Sequence, residues 1–360
     1  MKVLVTSGHL ERKGGIVNYV DQLIDNLEQK EIDVEHFVHG LKPKYHKNWV
    51  VPLAWSYQFL KFSIELDSKN PDIVHINPSL NRGSIIRDFI FLKISKNKGY
   101  PVVLFFRGWR WNLFDKIKAN RIFRKKFIKN LENVDQIIVL SEDFKKALVE
   151  LGIDGNKIKI SSTMVEVEAY RSNNKKIEEP YNILFCGNIA ETKGVYELLE
   201  SINRVIEHEK DVNFIFMGDG PELERLQNRS KELNIERFVT FTGYMTGEEK
   251  YEVYKTSDLF VLPSYTEGFP NVALEAMAAG LPIIATSVGA LKYAIKENKN
   301  GLKINSVPPN PEEIGNKIIE LIEDQELMEK ISEFNIREAE NKYSVESVAN
   351  QMIDIYEEVK

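Results

Sequence analysis

Asp258-Leu259-Phe260-Val261-Leu262-Pro263-Ser264-Tyr265-Thr266-Glu267-Gly268-Phe269-Pro270-Asn271-Val272-Ala273-Leu274-Glu275-Ala276-Met277-Ala278-Ala279-Gly280 runs directly into Leu281-Pro282-Ile283-Ile284-Ala285. Residues 258–262 are a short apolar run, the pattern of a strand buried on both faces. Asn271 reads as an N-cap and Gly280 as a stop, so a short helix is expected between them. A second apolar run, 282–285, closes the unit. Strand, loop, helix, strand is the repeat from which parallel sheets are built.

The same alternation extends outward along most of the chain. Upstream of the quoted stretch, strands are expected at 182–187, 212–217 and 238–242, and downstream at 301–304. In the first half they are expected at 2–7, 33–38, 72–76, 101–106, 136–140 and 157–161. Helical spacing of Ile16, Tyr19, Val20, Leu23, Ile24 and Leu27 marks a helix over 15–29. The polar run 171–176 lacks periodicity and reads as a linker. The expected organisation is therefore an α/β domain over 1–170, a second over 171–343, and a terminal amphipathic helix within 344–360 packing back on the first. Two such domains would face each other across a cleft, with ligands at the carboxyl ends of their strands.

Composition is consistent with this. The 360 residues are 43% hydrophobic and 28% charged, as expected of a globular protein and not of a disordered or fibrous one. One cysteine, Cys186, excludes an internal disulfide and favours a reducing compartment. Lys2 opens directly into a strand-like run with no leader, and no apolar run approaches the roughly 20 residues of a spanning helix. A cytoplasmic protein is expected, with any membrane contact peripheral. The net charge of −6 is uneven: residues 1–170 carry 27 Lys+Arg against 20 Asp+Glu, residues 171–360 carry 21 against 34. A basic half and an acidic half suit different partners, or form an ordinary dipole. No nucleic-acid partner is expected. The scattered His9, His36, His39, His46 and His208 show no metal spacing and read as loop or surface residues.

Within the quoted stretch, Gly268 permits close backbone approach, Pro270 stiffens the entry, and the first helical turn offers N–H groups to an anion. Glu267 and Glu275 flank that helix start. Carboxylates there would repel a bare phosphate but accept hydrogen bonds from sugar hydroxyls. The ordinary alternative is a capped helix with surface carboxylates.

Residues 267–282 resemble the retaining glycosyltransferases of family four, which have the GT-B fold of two Rossmann-like domains. Their hallmark is a pair of glutamates separated by seven residues, E-G-F-P-N-x-x-x-E-A-M-A-x-G-x-P, here Glu267 and Glu275. The resemblance implies that Glu267 meets the donor sugar's hydroxyls and Glu275 the nucleotide ribose. It also implies that backbone around Gly268, Phe269, Pro270, Asn271 and Val272 holds sugar and diphosphate. Gly187-Asn188-Ile189-Ala190-Glu191-Thr192-Lys193-Gly194 is similar to the family's G-R-x-x-x-x-K-G segment, giving Lys193 the role of neutralising the leaving diphosphate. Asn188 replaces the usual arginine and supplies a hydrogen bond without charge. Gly218-Asp219-Gly220-Pro221 is turn chemistry beside the nucleotide, and the backbone at Gly243 is expected to meet the base. Gly14-Gly15, before the first helix, resembles the family's pair that closes over the diphosphate.

Bacterial members that build polysaccharides or glycolipids carry H-G-W where this chain has Arg107-Gly108-Trp109. Arg107 and Trp109 are thus acceptor-side candidates. Arg107 either holds an anionic group, on donor or acceptor, or makes a salt bridge, for example to Asp88. Basic residues interleaved with Ile122, Phe123, Phe127 and Ile128 over 117–130 suit an anionic membrane and a lipid-linked acceptor. They equally suit a helix packed on its own sheet with a solvated basic face.

What the resemblance implies is transfer of a hexose from a nucleotide-diphosphate sugar, UDP- or GDP-linked, to a glycan or lipid-linked acceptor with retention. Glu267 and Lys193 would act at the reacting centre, with no metal and no further cofactor. Two other readings remain at this point: a nucleotide-sugar epimerase, and a non-catalytic scaffold of the same fold that binds nucleotide sugar.

Overall fold

The computed structural model describes residues 1–9, 15–40, 51–171, 179–209 and 211–360. It contains two six-stranded parallel sheets. The first comprises β1 (Lys2–Ser7), β2 (Asp33–Val38), β3 (Ile73–Ile76), β4 (Val102–Phe105), β5 (Gln136–Val139) and β6 (Ile158–Ile160), ordered β2-β1-β3-β4-β5-β6. The second comprises β7 (Tyr181–Cys186), β8 (Val212–Met217), β9 (Val239–Gly243), β10 (Leu259–Leu262), β11 (Ile283–Thr286) and β12 (Gly301–Ile304), ordered β12-β11-β10-β7-β8-β9. Strands β3, β4, β5, β10 and β11 are buried at every position. Burial on both faces explains why they read as unbroken apolar runs.

Helices cover the sheets with one apolar stripe each. Gly15–Gln29 buries Tyr19, Val20, Leu23 and Leu27, and Val195–Ile206 buries Val195, Leu198, Leu199, Ile202 and Val205. Asn310 caps Pro311–Glu323 by accepting from the Glu312 and Glu313 amides, with proline in the first turn.

Each sheet reverses its strand order at one place. In the first, the chain leaves β1 for β2 on one side and returns to β3 on the other. In the second, β8 and β9 lie to one side of β7 and β10 to the other. Loops diverge at such points and leave a crevice beyond the strand ends, where ligands bind in open α/β sheets.

The chain forms two compact units, Met1–Thr163 with Val345–Lys360, and Met164–Ser344. The second unit begins ahead of the stretch read as a linker, because Val165, Val167 and Tyr170 pack into its core. Residues 172–176 of that stretch lie outside the described residues. The helix Val345–Val359 buries Val348, Ala349, Met352, Ile355 and Tyr356 and packs along Gly15–Gln29. Tyr356 reaches His75 on β3, with 2.6 Å between its hydroxyl and Nδ1.

The basic-aromatic segment 117–130 is not one helix. Trp111–Ala119 ends at Asn120, whose side chain accepts from the Ile122 and Phe123 amides and starts Arg121–Glu132. An asparagine that caps is a stronger signal than the apolar spacing that runs across it. No described helix is long and apolar enough to cross a membrane.

Candidate active site

The reversal point of the second sheet brings the loops after β7 and β10 together. After β7, a single turn Glu191–Lys193 leads to Gly194, whose φ is +68°. A Cβ there would lie 2.1 Å from the Pro263 carbonyl oxygen, so the two loops touch backbone to backbone only because residue 194 is glycine. Beside it the Tyr265 amide donates to the Thr192 carbonyl at 3.0 Å. The Lys193 ammonium then meets the Glu267 carboxylate at 2.6 Å, with side chains 27% and 8% exposed.

Glu267 is fixed from its other side by a loop that sequence reasoning missed. Gly289 has φ +56°, and a Cβ on it would approach the Glu267 carbonyl oxygen to 2.0 Å. The next amide, Ala290, donates to the Gly268 carbonyl at 2.8 Å. A glycine just past an apolar strand was the available signal.

The helix after this loop is Asn271–Ala278, and its cap is Pro270, not Asn271. Pro270 has the φ of −74° that its ring imposes and an extended ψ, which places Asn271 at the first helical position. No side chain caps this end. Such a helix start retains amides without intrahelical acceptors, pointing out of the helix.

Glu275 lies just over one turn in and is 9% exposed. Its oxygens are held separately: the Lys250 ammonium approaches Oε1 at 2.6 Å, and the Tyr254 hydroxyl donates to Oε2 at 2.9 Å. Lys250 and Tyr254 are four apart on the helix Gly247–Thr256 and so share a face. Burial works against the Lys250 ammonium, but Glu275 and its neighbours outweigh it and raise the pKa. Burial first, then Glu275, pushes the neighbouring Cys186 thiol up to about 12. The pair Lys250 and Tyr254 was missed from sequence because their partner is distant along the chain.

The remaining candidates of this unit lie at the same end of its sheet. Asn188 is exposed on the loop after β7. Gly243 ends β9 at φ +73°, its carbonyl accepting from the Gly218 amide at 2.9 Å. Phe269 packs edge-on to Tyr343, ring centroids 5.6 Å apart. Among the described residues no cluster of three or more His, Cys, Asp or Glu could hold a metal ion.

In the first unit, Gly15 is the first residue of its helix, and Gly14 lies outside the described residues. Asp88 does not pair with Arg107. It is held by Arg87 at 2.7 Å and by the Ser84 hydroxyl at 2.6 Å, because Ser84, Arg87 and Asp88 share one helix face. Arg107 instead lies over the Tyr19 ring, 3.6 Å from its centroid, and beside Phe105 at 4.4 Å. Trp109 stacks on Phe144 at 4.5 Å. Two histidines read as peripheral are not: His36 lies within β2 and meets the Ser7 hydroxyl at 2.8 Å, and His39 is buried. His46 lies outside the described residues.

Residues 13–169 match the family model described as Glycosyltransferase Family 4, and residues 166–338 match that described as Glycosyl transferases group 1. Together the two matches span residues 13–338, and the chain belongs to the glycosyltransferases. A glycosyltransferase of Methanocaldococcus jannaschii, described as uncharacterized, is 28% identical over 375 aligned positions, covering 100% of this chain and 99% of the relative. The capsular polysaccharide biosynthesis glycosyltransferase CapM of Staphylococcus aureus is 26% identical, covering 61% of this glycosyltransferase and 60% of its relative. Several curated relatives are matched over only part of their length, 57% for another M. jannaschii glycosyltransferase. Among solved structures, Anabaena HepE in complex with UDP superposes with a TM-score of 0.77 at 17% identity, covering 99% of this chain and all of that one. The galactosyltransferase WaaB of the lipopolysaccharide outer core gives 0.71 at 19%, over 99% of this chain and 100% of its own. The fold of this glycosyltransferase is therefore GT-B.

Proposed function

We propose that this glycosyltransferase moves a hexose from a UDP- or GDP-sugar to an acceptor hydroxyl with retention, in polysaccharide or glycolipid assembly. The observation that carries the reading is the Lys193–Glu267 contact of 2.6 Å at the reversal point of the second sheet. A cation there faces the leaving diphosphate, and a carboxylate beside it accepts from the sugar hydroxyls. HepE, solved with UDP and with UDP-glucose, supports a nucleotide-sugar donor.

In the step itself, the acceptor hydroxyl oxygen bonds to the anomeric carbon on the face the phosphate leaves. The bond from that carbon to the phosphate oxygen breaks and its electron pair stays on the diphosphate. The acceptor proton passes to the departing phosphate oxygen. Lys193 and the amides of Phe269, Asn271 and Val272 stabilise the charge that develops. Glu275 holds the ribose, Gly243 the base, and Asn188 donates a neutral hydrogen bond.

Acceptor chemistry belongs to the first unit, with Arg107 and Trp109, in a cytoplasmic protein working at the inner face of a membrane. Ile122 and Phe123 are 77% and 61% exposed amid Arg121, Arg124, Lys125 and Lys126. Such a surface suits anionic lipid. Liposome flotation is expected to depend on anionic lipid, and flotation indifferent to it removes the membrane claim.

The test of the central reading is diphosphate release from a panel of UDP- and GDP-sugars, with and without glycan acceptors. Product anomeric coupling read by NMR reports the stereochemistry. Sugar-dependent release with the donor's configuration kept is expected. Donor binding without turnover on any acceptor would make the protein a scaffold, and inverted product would remove retention.

A further inference from the structure

The first unit holds a positive charge that no described residue balances. Arg107 follows β4 and is 9% exposed. Its guanidinium lies on the rings of Tyr19 and Phe105. Among the described residues one acceptor reaches it, the Ser162 carbonyl at 3.4 Å from Nη1, and Nε has none. No carboxylate pairs with it among the described residues. Ring faces offset only part of the cost of burying an unpaired guanidinium.

Its surroundings are polar and equally unfinished. The Tyr19 hydroxyl, His75 Nε2 on β3 and the Asn77 side-chain oxygen after β3 are all buried without a hydrogen-bond partner among the described residues. Each of these residues is less than 5% exposed. Burial pulls His75 down to about 3 and pushes Tyr19 up to about 12, so both are neutral at pH 7. The guanidinium is left as the charge of the group. Strands β1, β3 and β4 are neighbours, and β1 and β3 are the pair at which this sheet reverses. Orphaned polar atoms at that place are what a ligand site looks like when its ligand supplies the partners.

We propose that the first unit binds an acidic acceptor here, a phosphate or carboxylate of that substrate pairing with Arg107 while its hydroxyls pair with Tyr19 and Asn77. This rests on the reading above, which assigns the donor's own diphosphate to Lys193 in the second unit and leaves this anion to the other substrate. Arg107 thereby selects charged over neutral acceptors.

The experiment follows the Arg107 Nε–H signal of the full chain, labelled with 15N-arginine, assigned by its loss in Arg107→Lys. Inorganic phosphate, methyl glucuronoside and, as neutral control, methyl glucoside are titrated. A saturable shift with at least one anion and none with the glucoside is expected, and which anion acts names phosphate or carboxylate as the source. No saturable shift with either anion overturns the proposal. In steady state, Arg107→Met and Arg107→Lys are expected to raise the KM for an acidic acceptor at least tenfold, with donor KM unchanged. A change in donor KM alone also overturns it. Melting shifts induced by UDP- and GDP-sugars are measured alongside. Donor-induced stabilisation without an anion response sinks this inference alone, whereas an anion response without donor stabilisation sinks the donor reading alone.

Discussion

Lys193 and Lys250 each neutralise one glutamate at 2.6 Å, but the two pairs are built for different tasks. On the proposed function, Lys193, the more exposed, exchanges Glu267 for a substrate phosphate, while Lys250 joins Tyr254 in holding Glu275 still. Lys193→Ala is accordingly expected to lower kcat by about 10²-fold or more, as for loss of a charge-assisted contact made in the transition state. Unchanged turnover would place the diphosphate elsewhere. Glu267→Ala should likewise act chiefly on kcat. Glu275→Ala and Lys250→Ala should both raise donor KM, roughly tenfold or more, because a bond to a charged group contributes about 1.5–3 kcal/mol. If Lys250→Ala leaves donor KM untouched, Glu275 needs no support and the account of the pair is wrong. The glutamates were legible because they stand inside one local pattern. Lys250 and Tyr254 were not, since their meeting with Glu275 is made by the fold and leaves no mark in the spacing of either segment.

Elements were easier to read than their ends. Parallel strands covered on both faces must be apolar throughout, so β10 and β11 announce themselves within a residue or two. Boundaries depend on single hydrogen bonds, and there the reading slipped. Pro270 took the cap expected of Asn271, and Asn120 divided a segment whose apolar spacing ran through it. Contacts between loops are still less visible, because they are decided by absent side chains. Gly194→Ala tests one such contact. The added methyl would strike the Pro263 carbonyl oxygen at 2.1 Å in a left-handed backbone. The conformational cost alone is about 1–2 kcal/mol. A lower urea midpoint together with slower diphosphate release is expected, since the same contact aligns Lys193 with Glu267. Wild-type values for both would show that the loops have room to part.

At the scale of the molecule, the chain's last helix completes its first unit. Val348, Met352, Ile355 and Tyr356 are buried there, each contributing roughly 1.5–3 kcal/mol on burial. A chain ending at Ser344 is therefore expected to lose the cooperative unfolding transition of the first unit, and a truncated protein melting like the intact one would contradict this. The contact between Tyr356 and His75 adds a dependence on acidity. Burial holds the His75 imidazole neutral, its pKa pulled from 6.5 to about 3. Between those values the unfolded chain binds a proton that the folded chain refuses. Stability is then full above pH 6.5 and falls as the pH drops toward 3, by up to about 1.4 kcal/mol per unit from this residue. His39, also held well below its usual range by burial, contributes in the same direction. His75→Gln removes the titrating group but keeps a side chain able to hydrogen-bond Tyr356. Between pH 7 and pH 5 the wild type should lose about 2 kcal/mol more in urea unfolding than this variant does. Equal losses would mean that His75 is solvated, and the unit it shares with Tyr356 is looser than this packing allows.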